Sequence, residues 1–163
     1  MVETNSPLQH ADIVGHGADG SLVLVVEVKS GPRVDRQWAA KLRRNLLAHG
    51  WLAPSPYFLL ALPQQFYLWR QRAEPIVPEI VDPDVEIDPA PILRKYLHWT
   101  AVGADYVLSE FSLTLALDSW LTRLASHNDL SDLDDRYRNA LVESGLPAAL
   151  HGGRIEIAQK FEI

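Results

Sequence analysis

The sequence predicts an α/β (α+β) protein, a mixed β-sheet flanked by helices with a mainly helical C-terminal extension. Three observations lead there. Two β-branched runs, ADIVGHG (11–17) and SLVLVVEVK (21–29), flank Asp19-Gly20. From Asp35 to His49 the apolar period becomes helical. Two further apolar runs, YFLLALP and QFYLWR, surround Pro63-Gln64-Gln65. The opening therefore reads β-β-α-β-β.

Asp-Gly between two apolar runs predicts a tight hairpin, because both central residues of a type I′ turn need positive φ. In the helix, Trp38, Ala39, Leu42, Asn45, Leu46 and His49 share one side, and Gly50 ends it. The two apolar runs after it are rich in aromatic and aliphatic side chains and read as strands. The segment EPIVPEIVDPDVEIDPAP (74–91) has too many prolines for a helix and predicts extended chain over the surface. A helix follows at Ala90–Trp99. A long amphipathic helix spans Asp105–Ser126, with Leu113, Leu117, Trp120, Leu121 and Leu124 as its buried stripe. Residues 131–144 predict a more polar helix capped by Ser131. The tail RIEIAQKF alternates like a half-buried strand.

With 163 residues, 47% of them hydrophobic, the chain can bury one sizeable core, which argues against disorder and against a disulfide-stapled scaffold. The expected organisation is a single domain over 1–163. Its core is 11–72, its proline-rich acidic connector 73–91, and its helical extension with a final strand 92–163. The absence of cysteine excludes thiol catalysis and zinc–thiolate sites. The polar start MVETNSPLQH does not read as a signal peptide, and no apolar run approaches the roughly 20 residues needed to cross a bilayer. A cytoplasmic protein without a membrane partner is the expectation. A net charge of −6 argues against indiscriminate coating of nucleic acid, yet five of the 15 basic residues, Arg33, Arg36, Lys41, Arg43 and Arg44, fall within twelve positions.

The hairpin register carries the chemistry. With Asp19-Gly20 as a two-residue turn, Ala18 opposes Ser21 and Asp12 opposes Glu27. The strand period of two adds Lys29 to the same face. Ile13, Leu22, Leu24, Val26 and Val28 point the other way. Two opposed carboxylates destabilise a sheet unless something neutralises them. Either Lys29 does so in a surface ion-pair ladder, or a hard divalent cation, Mg²⁺ or Mn²⁺, does. A lysine beside such an ion positions water or stabilises charge on a phosphoryl oxygen.

Asp12 followed fifteen positions later by Glu27-Val28-Lys29 resembles the D…(D/E)xK signature of the PD-(D/E)XK nuclease superfamily, the restriction-endonuclease-like fold. The helix and the strand YFLLALP match the order of that superfamily's core, and the resemblance covers about residues 11–70. It implies that Asp12, Glu27 and the main-chain carbonyl of Val28 hold the metal and that Lys29 assists the water. Gln37, early in the helix, is placed like a glutamine some members use near the active site. In two respects the chain departs from the family. Ala11 stands where the family has proline, and MVETNSPLQH is too short for the helix, often acidic, and the first strand that precede the aspartate. A later element such as the Asp105–Ser126 helix fills that place, returning Glu110, or a partner or lost segment supplies it, or the chain is a degenerate descendant.

Around the helix, Arg36, Gln37, Lys41, Arg43 and Arg44 fan over the side opposite Trp38 and Leu42 at 100° per residue. With Arg33 they form either a solvated face or a phosphate-contacting surface. The six histidines show no metal-ligand spacing; His16 is four residues from Asp12 on the hairpin. Ser109, Ser112 and Ser119 lack a nucleophile elbow, HGADG and HGG read as turns, and the tryptophans read as core or interface. The leading expectation is a metal-dependent nuclease-like protein hydrolysing phosphodiester bonds of DNA. The alternative is a catalytically degenerate scaffold or interaction protein that binds a partner protein or forms a homo-oligomer.

Overall fold

Hairpin formation between the first two apolar runs sets the sheet. In the computed structural model, which describes residues 11–71, 77–97 and 108–158, β1 (Ile13–His16) and β2 (Leu22–Val28) pair antiparallel. Their loop differs from the expected turn. Gly20 N–H bonds to Gly17 O and Gly17 N–H to Ser21 O, both at 2.9 Å, and positive φ occurs at Gly20 alone. This is the three-residue loop with glycine in the left-handed region, not type I′. It shifts His16 opposite Leu22. A bulge between Gly15 and His16 then moves the pairing back, so that Gly15 faces Leu24, Val14 faces Val25 and Ile13 faces Val26. Two irregularities cancel, and the expected register holds from Gly15 to Ile13. They do not cancel for Leu22, which packs on the opposite face from Leu24.

α1 (Arg36–Ala48) carries the chain across to β3 (Tyr57–Ala61), which lies parallel to β2. Asp35 caps it by accepting from Trp38 N–H at 2.8 Å, and Gly50 follows its end with φ 69°. β4 (Phe66–Arg70) returns antiparallel to β3. The proline segment holds a strand the sequence reading missed, β5 (Val85–Ile87), antiparallel to β4. Only three residues long and bounded by Pro83 and Pro89, it has no periodic signal of its own. β6 (Arg154–Ile157) pairs antiparallel with β1 and completes a sheet of order β5-β4-β3-β2-β1-β6.

The remaining helices are α2 (Ala90–Leu97), α3 (Glu110–His127), α4 (Asp135–Ser144) and α5 (Leu146–Leu150). α3 buries the predicted stripe of Leu113, Leu117, Trp120, Leu121 and Leu124 against Ile13, Leu24, Val26, Val28 and Phe66 on one face of the sheet. α1 covers the other face, where Val14, Val25, Phe58, Leu60 and Trp69 meet Ala39 and Ala40. Because both faces are covered, Val23 through Val28 are all buried. α3 is capped by Ser109, whose Oγ accepts from Ser112 N–H at 3.1 Å, and closed by Asn128 at φ 51°.

Two local expectations are corrected. Ser131 does not cap α4. Its N–H and Oγ–H bind Asp129 Oδ1 at 2.9 and 2.6 Å, and the helix starts four residues later after Asp134. The buried side of α1 is Ala39, Ala40, Arg43 and Leu46, while Trp38 is 43% exposed and Asn45 and His49 are exposed. The wide base of Trp69 and Phe58 takes the small Ala39-Ala40 pair more closely than it would a bulky indole. The expected helix ends at Trp99 and Asp105, the start of the proline segment at Glu74 and the strand tail to Phe161 lie outside the described residues. Among the described residues, no helix is long and apolar enough to cross a membrane.

Candidate functional site

Asp12 stands immediately before β1, and Glu27 is the last but one residue of β2. The expected direct pair between them is modified. Asp12 N–H bonds to Val26 O at 2.9 Å, and its carboxylate, not its main chain, meets Val28 N–H at 2.6 Å. Its own carbonyl accepts Ala158 N–H from beyond β6 at 2.9 Å. The aspartate thus ties three strands together at one end of the sheet, its Oδ2 seated on the Glu27–Val28 peptide.

Asp12 is fully buried and Glu27 is 6% exposed. Glu27 faces α1, since its neighbours Val25 and Leu60 belong to the core on that side. Lys29 continues β2 by one step, with N–H to Ala61 O at 3.0 Å, and its Nζ lies 3.5 Å from Glu27 Oε1. The lysine side chain is 38% exposed, so the cluster reaches solvent through its amine. A carboxylate this deeply buried needs a compensating charge or hydrogen bonds, and here a backbone N–H serves Asp12 and the ammonium serves Glu27. All of this sits at the carboxyl end of the parallel β2–β3 pair, where open α/β sheets commonly hold their ligands.

α3 contributes a further acid from the other side of the sheet. Glu110, in its first turn, accepts Ser30 N–H on Oε2 at 3.3 Å. An acid there also complements the helix N-terminus. The sequence offered the return of Glu110 only as one alternative with no local support; its meeting with the end of β2, eighty residues away, depends on how α3 packs. Among the described residues no three or more histidine or acidic side chains gather as a metal-holding group. The oxygen donors that the resemblance points to are those of Asp12, Glu27 and the Val28 carbonyl. These are hard oxygens suited to Mg²⁺, which usually retains several waters of its own.

The basic residues separate. Arg33, Gln37 and Lys41 are exposed and Arg44 is half-buried with Nε on Asn45 Oδ1 at 3.0 Å. Arg36 is ion-paired with Glu86 of β5. Arg43 does not join the expected basic arc: it is 9% exposed, its guanidinium lies 5.8 Å from the Trp69 ring, and its Nε and Nη1 make no hydrogen bond among the described residues. Burial lowers its pKa, and Asp84 partly opposes that shift. Beneath it lies a cavity of about 10 Å³, room for one water, walled by Leu52, Phe58 and Trp69. The 100° period places Arg43 correctly relative to its neighbours; the error lay in which side of α1 meets the sheet.

An open groove of about 600 Å³ runs past Arg33, Asp35, Arg36, Gln65, Tyr67 and Glu86. It lies beside the same end of β2 and β3, because Leu62 N–H and Gln65 O close the β3–β4 turn next to Ala61. Tyr67 O–H donates to Val34 O at 3.0 Å and fixes the loop that carries Arg33. His16 is at the opposite, turn end of β1, across from Leu22 and Arg154, and does not approach Asp12.

No protein-family model, characterised protein or solved structure matches this chain.

Proposed function

We propose that the protein is a metal-dependent, nuclease-like phosphodiesterase acting on DNA, with a PD-(D/E)XK-type site at the carboxyl end of β2. The observation that carries this is the joint placement of Asp12 on the Glu27–Val28 peptide and of Lys29 Nζ at 3.5 Å from Glu27. Asp12, Glu27 and the Val28 carbonyl would hold Mg²⁺ or Mn²⁺. When bound, such an ion offsets the charge of a phosphodiester and makes water a better nucleophile near neutral pH. Lys29, half in solvent, orients that water and offsets charge growing on the phosphoryl oxygens. Arg33, Gln37 and Lys41 present exposed donors at and beyond the adjoining groove for the backbone of a duplex.

The sheet also supports the resemblance where the sequence departs from it. The family's first strand would lie beside the aspartate strand, and β6 occupies that place next to β1. Its first helix would carry an acid, and α3 brings Glu110 to Ser30 just past the end of β2, on the other face of the sheet from Glu27.

Metal titration tests the reading. Mn²⁺ should raise the Tm by mass action and support cleavage of plasmid DNA. Glu27→Ala should lose both effects, whereas Lys29→Ala should keep the Tm shift and lose cleavage. A wild-type protein that neither gains stability with Mn²⁺ nor cuts single- or double-stranded DNA defeats the proposal.

A second reading, the degenerate scaffold, draws on the basic helix. With Arg43 buried and Arg36 engaged by Glu86, two of the six expected nucleic-acid contacts are occupied within the fold. Steep salt dependence of DNA binding is the discriminating measurement, because phosphate contacts release counterions and scaffolding does not.

A further inference from the structure

We propose that β6 is a dimerisation edge. It pairs antiparallel with β6 of a second copy of this chain about a two-fold axis at Ile155, so that Arg154 of each copy faces Glu156 of the other and the two sheets become one. Among the described residues β6 ends the sheet, and its outer side is chemically defined by its inner one. Ala158 N–H bonds to Asp12 O, so residues 154, 156 and 158 spend their backbone groups on β1. By the alternation of antiparallel ladders, Ile155 and Ile157 then turn N–H and C=O outward. Such an edge is a template for another strand.

The opposite edge is blunted. β5 has three residues between prolines, and Arg36 from α1 is ion-paired with its central Glu86. β6 is bounded by no proline, and its charges belong to the strand itself. Its Arg154 and Glu156 side chains are 64% and 50% exposed, on one face, with Nε and Oε1 2.6 Å apart.

Charge selects both the partner and the register. Outward-bonding residues must oppose one another, so the strand can meet its copy only in steps of whole ladder rungs. Pairing centred on Arg154 sets two arginines face to face, and pairing centred on Glu156 sets two glutamates face to face; directly opposed like charges are destabilising. Pairing centred on Ile155 makes Ile155 the hydrogen-bonded pair. It makes Arg154–Glu156 the closely spaced one, with Cα atoms about 4.5 Å apart. Pairing centred on Ile157 leaves Glu156 opposite Ala158 with no charge partner, so of these four registers the one at Ile155 sets opposite charges face to face, in an isologous contact between two copies of the chain.

α3 supplies the rest of the surface. It packs along β6, and Gly152 N–H bonds to Ala125 O. At 100° per residue Phe111 and Leu115, 57% and 40% exposed, fall beyond Ala125 on the flank next to β6, and Ile157 adds 38% exposure at the strand's end. A two-fold axis normal to the joined sheet puts both copies of α3 on the same face, with these flanks turned toward the axis.

Light scattering on the full chain, from about 1 to 100 µM, reads the proposal. Wild type should show twice the chain mass. Arg154→Glu and Glu156→Arg alone should each weaken association about tenfold or more, and the double reversal should bring it back to within about threefold of wild type. Ile157→Pro deletes an outward N–H while leaving the ladder to β1 intact and should also weaken it, as should Leu115→Lys on the helix flank. A monomeric wild type at 100 µM overturns the proposal. So do single reversals that associate like wild type, or a double reversal no better than the singles, each with an unchanged far-UV spectrum.

Discussion

Arg43 shows what a single misplaced charge does to a functional reading. As an exposed arc residue it would be probed by Arg43→Glu and read out as lost DNA affinity. Buried against Trp69, with two nitrogens making no hydrogen bond among the described residues, it instead belongs to the stability of the molecule. Arg43→Met keeps the stem and removes a desolvated charge, so it should change stability by no more than about 1 kcal/mol in urea unfolding. Arg43→Glu reverses the charge in the same apolar surround and places it near Asp84, and should cost roughly 3 kcal/mol or more. Asp129 makes the converse case. Hydrogen bonds from Ser131 and Arg123 hold its carboxyl well below the usual range, so its contribution is present above about pH 4 and is lost as pH falls. Asp129→Asn should therefore lower the Tm at pH 7, and the gap from wild type should narrow progressively as the pH falls below about 4.

Among the elements, those with their own period were legible and those made by pairing were not. The stripe of α3 repeats at helical spacing and is buried as read. Leu117→Ala there should cost about 2–5 kcal/mol by transfer and cavity terms. β5 has three residues and no period, and it forms only because β4 offers an edge. The β1–β2 register was read correctly from Ile13 to Gly15 although its turn was not, because the bulge at Gly15/His16 offsets the extra loop residue; no composition signal marks that bulge. β6 was legible as an alternating tail, but its position beside β1 depends on Gly153. A side chain there would collide with the His16 carbonyl, which is backbone and has no other course. Gly153→Ala should push β6 off β1 and cost at least roughly 3 kcal/mol, with the loss visible as faster amide exchange at Ile13–His16.

For the molecule as a whole, the half of the candidate site that lies on one hairpin was accessible to sequence reasoning and the other half was not. Asp12, Glu27 and Lys29 are linked by local strand geometry. Glu110 reaches Ser30 only after α3 has packed on the far face, and nothing near Glu110 announces the contact. Because Glu110 lies where three parts of the chain meet, Glu110→Gln should leave the Tm within about 2 °C of wild type. Under the nuclease reading it should weaken Mn²⁺-dependent cleavage severalfold, since it keeps a hydrogen-bond acceptor for Ser30 and removes only a charge.

The hydrogen bond from Ala158 to the carbonyl of Asp12 sets the two extremes of the described chain side by side. The path α3, β6, β1, β2 is then continuous in space although broken in sequence. A circular permutant opened before Ser109, with the old ends joined by a flexible linker, should recover the same far-UV spectrum and, under the nuclease reading, the same Mn²⁺ response. It would run through the elements in the order that the nuclease resemblance expects.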